Sequence, residues 1–352
     1  MAAALAVFLI VQPWLVWPHL TSDVSHRLTL TCSMVGLGLW QIVSAPATIL
    51  LPRAWALWVF ACLAVLVRHA WQIVVSGGYF EFFQETALFS DGLITLLSLT
   101  WGLWALLQQP TRAFRVGRWG WMAFLAINLV MAASQWITHQ TVTGVLGVDR
   151  LLGAYAVMAI PLCLTWRRPL VIVPLALLLL AQKPLPCLAA LIACWPLIRA
   201  RWRGLYTIAL TSAALWFVCT SSTLKITQRA DTWWHALQAS GAHPWGGWGF
   251  DPMVFGTISQ QYGYLLPNLH SDWLALAVQA GWLVALGAFS LWGRIVLTIP
   301  RTSWARACQG SLLGLGVLCA VQSTISHARL GGVALFLLAW FTAEQRQEHV
   351  HA

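Results

Sequence analysis

Residues 151–198 read LLGAYAVMAIPLCLTWRRPLVIVPLALLLLAQKPLPCLAALIACWPLI. Three apolar segments stand here, separated first by Arg167-Arg168 and then by Lys183-Pro184-Leu185-Pro186. A core helix of a soluble domain alternates apolar and polar faces at helical spacing. These segments are apolar on every face, so each belongs inside other helices or inside lipid. The pattern extends over the whole chain: of 352 residues 59% are hydrophobic and 9% charged, and the mean hydropathy is +0.73. No soluble core of this length hides that much apolar surface, and without a long polar block there is no soluble domain on a single anchor. The net charge of +10 comes from basic residues placed singly or in short clusters between apolar runs, as in short cytoplasmic loops, and nucleic acid is not an expected partner.

On the scale of about 20 apolar residues per crossing, about twelve spans are predicted for an all-α polytopic membrane protein, residues 1–352 forming one domain. They are 3–17, 28–51, 55–75, 87–107, 119–136, 151–166, 170–181, 187–198, 205–219, 272–292, 308–325 and 330–342. The seventh and eighth are short and read equally as a re-entrant pair. The first apolar run lacks a basic leader and an A-x-A exit, so it is expected to be a span and not a cleaved signal. Arginines fall on alternate connections, at Arg53, Arg112 to Arg118, Arg167-Arg168, Arg199 to Arg203, and Arg294 to Arg306, with Arg346 in the tail. Asp23, Glu81, Glu85, Asp149, Asp231 and Asp251 fall on the others. Positive-inside sorting therefore predicts both termini in the cytoplasm.

One outer connection is long, 221–269, between the ninth and tenth spans, and chemistry outside the cytoplasm is expected there. It carries Arg229 and Trp233 on a short predicted helix, then the turn Pro244-Trp245-Gly246-Gly247-Trp248-Gly249, then His270-Ser271-Asp272-Trp273-Leu274 opening a span that contains Gly281. The eight cysteines lie in or at the ends of apolar segments, with no CxxC pair, and read as small packing residues. The 24 tryptophans suit interfacial belts and sugar-stacking surfaces alike. Only Lys183 and Lys225 are lysine among 20 basic residues. Arginine is the better fork for phosphate.

An Arg followed by a Trp-containing helix, a P-x-x-G-x-G-like turn and H-S-x-x-L with a downstream Gly resembles the O-antigen ligase and polymerase superfamily of bacterial envelope enzymes. The resemblance implies transfer of a glycan from undecaprenyl pyrophosphate at the periplasmic face of the inner membrane, without a metal or other cofactor. It implies Arg229 on the pyrophosphate and His270 as the catalytic histidine acting on the acceptor hydroxyl. Further implied substrate contacts are Lys183, in the place of the family's second arginine, and the loop residues Trp233 and Trp248. Arg150, Arg68 and Asp272 are additional candidates on the outer side. Acceptors implied are lipid A-core, a lipid-linked glycan or a protein, with membrane lipids as surroundings.

Plainer readings stand beside these. His270 also fits an interfacial histidine, Arg229 a loop staple to Asp231 or Glu85, Asp272 the N-terminal cap of the tenth span, and the loop tryptophans belt residues. A transporter of envelope glycans or a non-catalytic member of an export complex are the rival classes.

Overall fold

The computed structural model describes residues 110–143, 149–181, 183–220, 223–249, 254–262, 269–321 and 328–350, and every regular element among them is helical. The first four expected spans, with Arg68, lie outside the described residues. Numbered from the first described residue, the helices are α1 (Pro110–Ile137), α2 (Asp149–Trp166), α3 (Ile172–Ala181), α4 (Pro184–Cys194), α5 (Arg203–Thr220), α6 (Thr223–Ala242), α7 (Val254–Tyr262), α8 (Asp272–Ala280), α9 (Trp282–Leu297), α10 (Ser303–Val321) and α11 (Ala328–Val350). Single 3-10 turns at Arg168–Val171, Trp195–Leu197 and Ala200–Trp202 extend α3 and α4 and shape the approach to α5. Two helical stretches, Gly117–Ile137 and Ser303–Val321, are long and apolar enough to cross a membrane.

The core forms around α10, which packs on α2, α4, α8, α9 and α11. Small residues allow the close approach. A Cβ on Gly310 would strike the Ala193 carbonyl oxygen. A Cβ on Gly314 would stand 2.7 Å from Val157 Cγ1 and 2.8 Å from Ala193 Cβ. Gly310 and Gly314 thus form a G-x-x-x-G face of the kind that packs helices when apolar transfer supplies no drive. Ser311 Oγ donates to the Met158 carbonyl at 2.6 Å, fixing the register with α2. Every residue of α2 from Leu151 to Cys163 is buried, as expected of a helix apolar on all faces.

These contacts also give direction. Gly310 faces Pro161 and Ala193, whereas Gly314 faces Val157 and Ala189, so both partners run antiparallel to α10. The C-terminal end of α10 and the N-terminal ends of α2 and α4 therefore share one end of the bundle, called here the site end. The opposite end gathers arginines. Arg118 lies 4.5 Å from the Trp166 ring centre and 5.1 Å from that of Trp304, which brings together the start of α1, the end of α2 and the start of α10. Arg167-Arg168, Arg199 to Arg203 and Arg294 to Arg306 occupy the neighbouring connections, so the described arginine clusters meet at one end. There Glu344 accepts from Thr302 Oγ1 at 2.9 Å and from Trp340 Nε1 at 3.1 Å.

Two expectations from the sequence need correction. The run 272–292 is not one continuous helix. It breaks at Gly281 (φ 84°, ψ 168°), and Trp273 then stacks on Phe289 at 4.8 Å and lies 6.0 Å from Trp292. Along a straight helix residues 273 and 289 would be about 24 Å apart, so α8 doubles back against α9. Hydropathy cannot see such a reversal, because both arms are apolar; only Gly281 betrays it. The long connection is also more regular than expected, since its first piece is not a short helix but α6, of 20 residues, and α7 follows.

Candidate functional site

Arg229 and Trp233 are one turn apart on α6 and therefore share a face. The same face continues into Ala236 and Ala239, which are buried with Ile258, Leu269 and Val278 in a small core of their own. Alanine there lets α8 lie close to α6. Trp233 Nε1 donates to the Leu269 carbonyl at 2.7 Å, the residue directly before His270. Arg229 is half-buried, and its Nη1 donates at 3.3 Å to the carbonyl of Val321, the last residue of α10. A cation at the negative end of a helix is favourable. That bond occupies one of five guanidinium N–H donors. This bond, and not one to Asp231, is the contact the described residues give Arg229; Glu85, the other staple considered from the sequence, lies outside the described residues.

His270 has a left-handed backbone, φ 48°, between buried Leu269 and buried Ser271, and its side chain is half-buried. A non-glycine residue in this region costs free energy and is held there by its surroundings. The holding groups are identifiable: the indole of Trp233 on the carbonyl before it, and Ser271 after it. Ser271 Oγ accepts from Leu274 N at 3.3 Å and caps α8. The cap is thus Ser271, not Asp272, which is the first residue of the helix and meets its positive end with a negative charge. Trp273 Nε1 donates to the Gly316 carbonyl at 3.1 Å and ties the start of α8 to α10.

The glycine turn seats the far end of α8. Where the helix breaks, the carbonyls of Val278 and Gln279 lose their helical donors; Trp248 N donates to the first at 2.9 Å and Gly249 N to the second at 3.0 Å. Trp282 N, at the start of α9, donates to the Pro244 carbonyl at 2.7 Å. The turn therefore completes the hydrogen bonding of the broken helix, which an apolar environment demands of every buried backbone group. Glycine is required on both sides of this seam. Gly247 has φ 65°, and a Cβ there would strike the Gln279 carbonyl; a Cβ on Gly281 would stand 2.7 Å from the Trp245 carbonyl carbon. Trp248 Nε1 further donates to the Ala239 carbonyl at 2.7 Å, pinning the turn to α6.

The structure thus brings Arg229 and Trp233 to the start of α8 beside His270 and the end of α10, whereas the 244–249 turn holds the opposite ends of α6 and α8, about 12 Å further along α8. The indole N–H groups of Trp233 and Trp248 are engaged by backbone carbonyls, whereas the exposed loop tryptophans are Trp234 and Trp245. Lys183 lies elsewhere at the site end. It is the exposed N-cap of α4, and with His139, Thr141 and Trp136 it lines a cleft of about 620 Å³ whose walls include neither Arg229 nor His270. Arg150 begins α2 at the same end.

Ser271, Gly281 as a corner and the Val321 carbonyl were the features that the sequence reading missed. Ser271 followed by Asp272 is a helix-start signal, so the cap was visible; the carbonyl of Val321 has no sequence signature. Compared with known proteins, the chain matches no family model and no curated protein.

Proposed function

We propose that the chain is a polytopic glycosyltransferase of the O-antigen ligase and polymerase type, with about twelve spans, both termini cytoplasmic and the site end facing the periplasm. The observation that supports this best is the meeting of α6 with the start of α8, which brings the Arg229–Trp233 face to the residue directly before His270, 41 residues from Arg229 in the chain. In the proposed reaction a hydroxyl oxygen of the acceptor glycan attacks the anomeric carbon of the donor sugar. The bond from that carbon to the pyrophosphate oxygen breaks, and undecaprenyl pyrophosphate leaves with the electron pair. The hydroxyl proton passes to the His270 imidazole, a suitable base near neutral pH. Arg229 offers a planar fork to the charge on the leaving pyrophosphate. The acceptor is lipid A-core or a lipid-linked glycan; a protein serine or threonine is the alternative within the same chemistry.

Single His270→Ala and Arg229→Ala variants, expressed in cells lacking the native gene and checked for membrane level by blot, test this reading. Each is expected to lose at least a hundredfold of product, in line with removal of a catalytic base or of a charge stabiliser. Loss of capped lipid A-core on a gel identifies a ligase, and loss of chain length a polymerase. Wild-type product from both variants would overturn the transferase reading, and labelled-glycan uptake would then test the transporter.

A further inference from the structure

At the arginine end, a cleft of about 620 Å³ opens between the α2–α3 connection and the start of α5. Arg168 lines it on one side, Arg199 and Arg201 on the other, with Trp202, Leu205 and Tyr206, and among the described residues no carboxylate is in its lining. The linker that carries two of these arginines has a defined shape. Ile198 N donates to the Trp195 carbonyl at 3.1 Å and Trp202 N to the Arg199 carbonyl at 2.9 Å, giving two successive tight turns. Arg203 is part of that framework: its Nε donates to the Ile198 carbonyl at 3.4 Å and its guanidinium lies 6.0 Å from the Trp195 ring. Arg199 and Arg201 are thereby set on a fixed turn facing Arg168. Three cations in one small cleft repel each other until an anion joins them.

The apolar surface beside the cleft narrows the choice of anion. Leu205, Ile208 and Leu215 are all exposed on α5, and spacings of three and seven residues put them on one face. That face starts at the cleft and runs along the helix away from it. A free phosphate would use the arginines and leave the apolar face idle. An amphiphile with a negative head and aliphatic chains uses both. We propose that this cleft binds the headgroup of an anionic phospholipid, its phosphodiester among Arg168, Arg199 and Arg201 and its acyl chains along α5. The inference rests on the membrane placement proposed above, and basic pockets between spans on the cytoplasmic side are suited to such headgroups.

The test uses the full chain purified in a neutral detergent, with phosphatidylglycerol as the probe and phosphatidylcholine as the uncharged comparison, bound lipid being counted by native mass spectrometry. Saturable retention of one phosphatidylglycerol is expected, and Arg199→Gln with Arg201→Gln should weaken it about thirtyfold. Arg199→Lys with Arg201→Lys, which keeps the charge, should bind within about fivefold of wild type. Arg115→Gln with Arg294→Gln, at the same end but outside the cleft, should leave binding within about twofold. Equal weakening by both glutamine pairs would reduce the site to a diffuse basic surface and overturn the proposal. So would unchanged binding by the first pair, equal retention of phosphatidylcholine, or displacement of the lipid by inorganic phosphate at equal concentration. Membranes from the same cells, washed at alkaline pH, separate the two readings. Loss of lipid binding with the protein still in the pellet overturns the lipid site alone, whereas release of the protein overturns the membrane placement and the site together.

Discussion

The contact of α10 with α2 and α4 and the corner of α8 with the 244–249 turn are both built on glycine, but for different reasons. In the first, Gly310 and Gly314 have ordinary helical backbones and serve by lacking a side chain, so that helices approach closely. In the second, Gly247 and Gly281 have positive φ and allow a backbone path that other residues resist, and the bonds that hold it are N–H to carbonyl. The first region is specified by volume, the second by dihedral angle. A helix interface of this kind needs nothing but repetition. A broken helix needs a particular partner to satisfy the groups it releases, and that partner here is the 244–249 turn at the far end of α8.

Three substitutions would sharpen or break this contrast. Gly310→Leu should have the largest effect, because a side chain there drives into the Ala193 backbone; overpacking costs about 1–3 kcal/mol when neighbours can move and more against backbone. The expected result is loss of folded protein on detergent gel filtration, and a monodisperse, wild-type-like peak would show the interface to be looser than described. Gly281→Ala should come next, with about 1–3 kcal/mol from a positive-φ, extended-ψ backbone that is essentially restricted to glycine and a further cost from the contact with Trp245. Here the protein should remain folded while protease sensitivity rises near 243–249 and activity falls; unchanged cleavage there would show that the corner tolerates a side chain. Ser271→Ala should have the smallest effect, about 1 kcal/mol for a lost helix cap. It should lower the melting temperature by a few degrees with transfer activity reduced only partly, and full inactivation would mean that Ser271 acts on substrate as well as on α8.

The fold was legible where hydropathy decides it. Leu151 to Trp166 and Leu205 to Cys219 were bounded by sequence within a few residues of α2 and α5. The arginine connections were legible as a class, because solvation keeps guanidinium groups at the ends of apolar helices. The reversal at Gly281 was not, since periodicity and hydropathy are the same whether an apolar helix continues or folds back. The candidate residues Arg229, His270 and the Gly-Trp turn were named through the family resemblance of their order in the chain. Their mutual arrangement depends on contacts between backbone groups, such as Trp248 N to the Val278 carbonyl, and any residue except proline supplies such a donor. The division of roles among the tryptophans is of this second kind too: nothing in the sequence distinguishes Trp233, whose N–H is occupied, from exposed Trp234.

On the proposed placement α8 adds no crossing, because it folds back along α9 from the Gly281 corner, and α9 alone runs from that corner to the arginine end. With 16 residues α9 is about 24 Å long, against a hydrocarbon thickness of about 30 Å. On the membrane placement proposed above, a bilayer meeting this flank would thin locally unless flanking side chains snorkel to its surface. Local thinning draws the outer headgroup layer down towards the level of Trp273 and His270. On the function proposed above, a lipid-borne pyrophosphate would meet the His270 end of α8 without being lifted out of the membrane.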